Sequence, residues 1–144
     1  MNPSSPRPRS HPTPAVARGT FAVTLGPEPV HEAAADTGLG RLSIAKRFEG
    51  DLVGSSRGEM LSLMTTEEGS AGYVAIERVT GTLAGRSGTF ALQHSGLMDR
   101  GSPRLTVTVI PGSGTGGLAG LSGTFEIEID DDGHRYALAW ALPD

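Results

Sequence analysis

The sequence predicts an all-β protein built as an eight-stranded antiparallel barrel. Three observations carry that expectation. Apolar residues recur at every second position in eight short segments, the period of a strand with one buried face. Glycine is abundant, 21 of 144 residues, and falls between those segments with proline and acidic turn residues. No stretch holds a 3.6-residue period over ten residues, as a packed helix requires. Eight such strands leave no exposed edge when the sheet closes on itself.

The elements follow in order. Residues 1–17, MNPSSPRPRSHPTPAVA, hold five prolines and few groups to bury, and are expected to form a disordered tail. Residues 18–144 then form one domain, long enough for a core without staples. RGTFAVTL places Phe21, Val23 and Leu25 on one face. GPEPVHEAAADTGLG is a loop with room for a single helical turn. RLSIAKRFEG resumes the alternation with Leu42, Ile44 and Phe48. GEMLSLMT, GYVAIERVTG, TFALQHSG, RLTVTVI, TFEIEID and RYALAWAL complete the eight.

Between strands the chain repeats itself. GTLAGRSGTF (Gly81–Phe90) returns as GGLAGLSGTF (Gly116–Phe125), and GDLVGSSRGEML (Gly50–Leu61) is a looser copy. The shared frame, Gly-x-Leu-x-Gly-x-Ser, is read as a recurring hairpin connection whose leucines, Leu52, Leu83 and Leu118, plug one end of the barrel. Gly112, Gly114 and Gly117 match G-x-G-x-x-G in letters. A dinucleotide site needs a helix after that run, and an alternating strand pattern follows instead, so no cofactor is expected.

The repeat also orients a polar residue. In TFEIEID, Phe125, Ile127 and Ile129 face the core; shifting by 35 maps them onto Phe90, Leu92 and His94. His94 is therefore expected to point inward, where its counterpart is isoleucine. A hairpin centred between Ala84 and Gly85 puts Tyr73, Ala75 and Glu77 on the face of His94, whereas one bulge puts Val74, Ile76 and Arg78 there. The candidate site is thus His94 and Glu77 as a base with its carboxylate partner, with Tyr73 and Met60 lining a ligand pocket. The competing reading makes His94 and Glu77 a buried structural network.

DDDGH (Asp130–His134) offers oxygen ligands, but its spacing fits a hairpin turn better than a calcium loop, and no metal is expected. RYALAWAL is apolar on both faces, with alanines opposite Tyr136, Leu138, Trp140 and Leu142; the small face suggests a subunit contact and hence a homo-oligomer.

GYVAIERVTGTLAGRSGTFALQHSG, MDRGSPRLTVTVIPGSGTGGLAGLSGTFEI and FEGDLVGSSRGEML resemble the bacterial family grouped as domain of unknown function 3224. The resemblance spans Arg18 to Leu142 and implies a barrel similar to that of allene oxide cyclase. It implies a fold rather than an activity, and no position matches the catalytic residues of the cyclases.

Composition narrows the function classes. Net charge is −4, without the basic excess of a nucleic-acid binder. Apolar runs are too short to span a membrane. The chain has no cysteine, which suits a reducing cytoplasm. The leading expectation is a cytoplasmic barrel holding a small apolar or amphipathic molecule. An isomerase or cyclase using His94 and Glu77, and a filled barrel serving as an oligomeric interaction module, are the alternatives.

Overall fold

A computed structural model describes residues 15–143. Eight strands form a closed barrel in which each pairs antiparallel with the next and β8 returns to β1. They are β1 (Ala15–Glu28), β2 (Leu39–Gly50), β3 (Leu52–Met64), β4 (Ala71–Leu83), β5 (Arg86–Asp99), β6 (Ser102–Val109), β7 (Ser122–Asp130) and β8 (Gly133–Ala141). Two single 3-10 turns, Glu32–Ala34 and Gly116–Leu118, sit in the β1–β2 and β6–β7 connections. The β1–β2 loop therefore holds the one helical turn its length allows.

Two boundaries differ from the sequence expectation. β1 starts at Ala15 and pairs with β8 from Ala15↔Trp140 onward, so Ala15–Ala17 belong to the barrel; Ala17 is buried. The rest of the expected tail lies outside the described residues. β3 starts at Leu52, so the Gly50 copy of the repeat is mostly strand. Its glycines have poor strand propensity, yet Gly54 and Gly58 sit where the β4 backbone passes too closely for a side chain.

The three copies use different backbones. The first turns at Gly50–Asp51 and then extends. The second makes a two-residue hairpin in which Ala84 (φ 51°) and Gly85 (φ 77°) both adopt the left-handed region, as a right-twisted hairpin requires. The third contains the 3-10 turn. Their leucines nevertheless share one fate. Leu52, Leu83 and Leu118 are all buried at the same end of the barrel. Tyr136 locks that end: its hydroxyl accepts from the Leu52 amide at 2.9 Å and lies 3.0 Å from the Glu49 carbonyl.

GSGTGG has a structural use. β6 ends at Val109, opposite Leu92, leaving the first half of β5 paired with β4 on one side and without a strand on the other. The loop covers it. Ile110 and Thr115 donate backbone N–H groups to the Ala91 and Thr89 carbonyls, and the Ser113 and Thr115 hydroxyls accept from the Ala91 and Thr89 amides. The glycines let this irregular backbone lie flat against β5.

Candidate functional site

Strand alternation carries four polar side chains into the barrel: Lys46 on β2, Ser56 on β3, Glu77 on β4 and His94 on β5. All four are buried, and Glu77 is fully so. The register explains how they meet. Lys46 faces Ser56 across β2–β3, while Gly58 faces Glu77 across β3–β4 and Ala75 faces His94 across β4–β5. Glu77 thus reaches Ser56 and His94 as diagonal neighbours, within the span of long side chains. Gly58 makes the room: a Cβ there would lie 2.6 Å from the Glu77 Cα.

The Glu77 carboxylate is the hub. One oxygen accepts from Lys46 Nζ at 2.8 Å and from His94 Nε2 at 2.6 Å; the other accepts from Ser56 Oγ at 2.7 Å. Burial by itself would raise the Glu77 pKa. The His94 hydrogen bond, the Lys46 ammonium and the Ser56 hydroxyl outweigh burial and bring it down to about 2. Glu77 is therefore ionised at neutral pH, and His94 presents Nε2–H to it. Lys46 Nζ also stands 4.9 Å from the Phe21 ring centroid, a cation–π contact.

Not every valence is used. Among the described residues no hydrogen bond reaches His94 Nδ1, and Lys46 spends one of its three N–H donors on a side chain. Lys46 keeps 8% of its surface accessible and His94 4%. The ring of Tyr73 lies beside the imidazole with centroids 6.3 Å apart, and it lies over Gly96, where a Cβ would come within 2.6 Å of its Cδ1. Its hydroxyl pKa is raised, first by burial and then by the Glu77 charge. Met60 is half-buried on the inward face of β3, opposite Ala75.

The structure thus brings Tyr73, Glu77, His94 and Met60 to the interior and resolves the two possible faces of β4 in favour of Glu77. The hairpin turns at Ala84–Gly85 without a bulge, so Val74, Ile76 and Arg78 face outward. Sequence reasoning missed Lys46 and Ser56. Both carried a signal: Lys46 interrupts the inward series Leu42, Ile44, Phe48, and Ser56 follows Leu52 at the same parity. Ile129, the guide to His94, does not itself reach the core; it is 73% exposed. Asp130 belongs to the β7–β8 turn, where it accepts from the Asp132 amide at 2.9 Å and pairs with Arg135 at 2.9 Å.

The interior has two unlike halves. On the side of the leucine plug, Phe21, Phe48, Phe90, Leu92 and Phe125 form one buried cluster, and this half is filled with side chains. At the other end, the inward positions Leu25, Met98 and Leu105 remain 40–47% exposed. The polar cluster lies between. A concavity of about 970 Å³ lies where Pro29, Val30, His31 and Ala34 face Leu61, Val74 and Ile76, and its lining extends to His94.

Among the described residues no helix is long and apolar enough to cross a membrane. No curated protein matches the sequence. Among solved structures, the chain is similar to a protein of unknown function from the DUF3224 family of Shewanella oneidensis MR-1. The two share 46% identity and a TM-score of 0.85, over 91% of this chain and 98% of the other. The model of that family, a protein family of unknown function, matches residues 17–140. With its barrel and its sequence in agreement, the chain belongs to the DUF3224 family.

Proposed function

We propose that the open end of the barrel holds a small amphipathic molecule, with its apolar part against Leu25, Met60, Tyr73, Met98 and Leu105 and its polar end toward His94 and Lys46. The observation that carries this reading is the unspent hydrogen-bonding capacity of His94 Nδ1 and Lys46, set below inward apolar side chains that solvent can reach. A purely structural network has no need to leave donors and acceptors open beneath an apolar mouth. The closed half is too full to contribute. A cysteine-free chain suits a cytoplasmic setting for this role.

The test uses an amphipathic anion, anilinonaphthalene sulfonate, with labelled methionine methyl groups as reporters. Met60 and Met98 are expected to shift on addition, and the Met60→Trp variant, which fills the mouth, is expected to lose binding. Unmoved Met60 and Met98 signals at saturating probe would overturn the reading. Native mass spectrometry of the freshly purified protein adds the identity of any molecule it retains.

The isomerase or cyclase alternative draws on one feature of the same site. Glu77 holds Nε2–H, so the imidazole presents Nδ1 as a base. In that case a retained molecule exchanges a carbon-bound proton with deuterated solvent in the wild type and not in His94→Gln. Binding without such exchange leaves the barrel a carrier.

A further inference from the structure

The outer wall of β3 and β4 carries an ordered sequence of surface chemistries along the strands. Two outward positions above the plugged end, past Val53 and Ser55, Arg57 and Arg78 face each other directly across the ladder, with Arg47 diagonal to Arg57 on β2. None of the three makes a salt bridge among the described residues. Like charges set opposite each other on one sheet face are destabilising, and the chain as a whole is acidic, so this basic group has no internal purpose. Next along the wall come Glu59, ion-paired with Arg41 of β2, and then outward apolar side chains: Leu61 on β3 and Val74 and Ile76 on β4, the last two each 55% exposed. Leu97 on β5 is 57% exposed beside them. Beyond these, Glu67 and Glu68 lie in the β3–β4 loop and Asp99 ends β5, with Arg100 as the local cation.

Basic, apolar and acidic zones in a line form a self-complementary pattern. A two-fold axis through the apolar zone lays one copy antiparallel on the other. It brings the two apolar zones together, each bordered by its own Pro29–Ala34 loop, and sets each arginine group against the partner's acidic rim. We infer that this wall is the contact surface of an isologous homodimer. The occupant is a second copy of this chain because the surface supplies both halves of its own charge match. The contact then lies on β3 and β4, away from the alanine face of β8, whose Ala137, Ala139 and Ala141 are already half-buried.

Light scattering coupled to size exclusion tests it on the full chain. The wild type is expected to run as a dimer, and Ile76→Glu as a folded monomer with an unchanged far-ultraviolet spectrum. Val74→Ser gives a milder second variant. The Arg57→Glu/Arg78→Glu pair is expected to raise the dissociation constant about a hundredfold by opposing like charges across the contact. Mixing that variant with Glu67→Arg/Glu68→Arg is expected to yield a heterodimer. A monomeric wild type at high micromolar concentration, a different stoichiometry, or a dimer indifferent to Ile76→Glu overturns the proposal. Failure of the swapped pair to associate overturns the two-fold arrangement.

Discussion

Glu77 is the residue on which the interior turns. Its carboxylate is fully buried and yet ionised, because Lys46, His94 and Ser56 replace the water it loses. Its folded pKa of about 2 lies below the ordinary 4.5, so between those values the unfolded chain binds more protons than the native one. The resulting stability, about 3 kcal/mol by the 1.36 kcal/mol equivalent of each pKa unit, is fully present above pH 4.5 and disappears as pH falls through 2. Urea unfolding across that window is expected to show this loss in the wild type, while Glu77→Gln lacks that component. At neutral pH Glu77→Gln is expected to cost about 3 kcal/mol, because it leaves the Lys46 ammonium buried without its counter-charge. Equal wild-type and variant slopes between pH 4.5 and pH 2 would show that Glu77 is not the group responsible. Tyr136 makes the neutral contrast. Tyr136→Phe strips the Leu52 amide of its acceptor and is expected to cost about 1–3 kcal/mol, with no change in the acid window between pH 4.5 and 2.

At the scale of elements, glycine does two separate jobs that substitution can tell apart. Gly85 is needed for its backbone: φ is 77° and a Cβ would meet nothing within 4 Å. Gly58 is needed for its missing side chain, since a Cβ there would press on Glu77. Gly85→Ala is therefore expected to cost about 1 kcal/mol of strain and leave the polar cluster intact. Gly58→Ala is expected to cost more and also to disturb the carboxylate, so that the acid transition attributed to Glu77 moves. Denaturant midpoints at two pH values separate the outcomes, and identical behaviour of both variants would refute the distinction. The same two jobs explain what could be read in advance. Alternation revealed the strands where one face is apolar, and the Ala84–Gly85 turn set the register that buries Glu77. The start of β3 was hidden because Gly54 and Gly58 obey packing limits that appear only once β4 lies alongside. Lys46 and Ser56 escaped notice because alternation was read through apolar residues, whereas a polar residue in the same parity is equally inward. Ile129 shared the parity of His94 but not its burial, since β7 carries it to an exposed position where β5 keeps His94 within the barrel.

The molecule as a whole is asymmetric about the polar cluster, with inward side chains buried below and partly exposed above, and its closure is asymmetric too. β3 and β4 pair along 13 positions from Leu52↔Leu83 to Met64↔Ala71, and β4 and β5 pair as extensively. Between β6 and β7 the ladder holds a single pair, Thr108↔Thr124. That junction is where the glycine-rich connection departs, and where side-chain hydroxyls take over the bonding along β5. A barrel has no free edge only while every seam is closed, so the seam with the fewest backbone bonds sets the ease of local opening. Amide hydrogen exchange under native conditions is expected to be fastest, among strand residues, along β6 and the facing part of β7. It is expected to be slowest at the centres of β3, β4 and β5, where opening requires the Glu77 cluster to come apart. Opening at the β6–β7 seam would expose the side of the barrel lined by Leu105 without breaking the leucine plug, and would give the proposed ligand a route that leaves the filled half undisturbed. Equal protection of β6 and β4 amides would show that the barrel opens only as a unit and would remove the seam as a route to the interior.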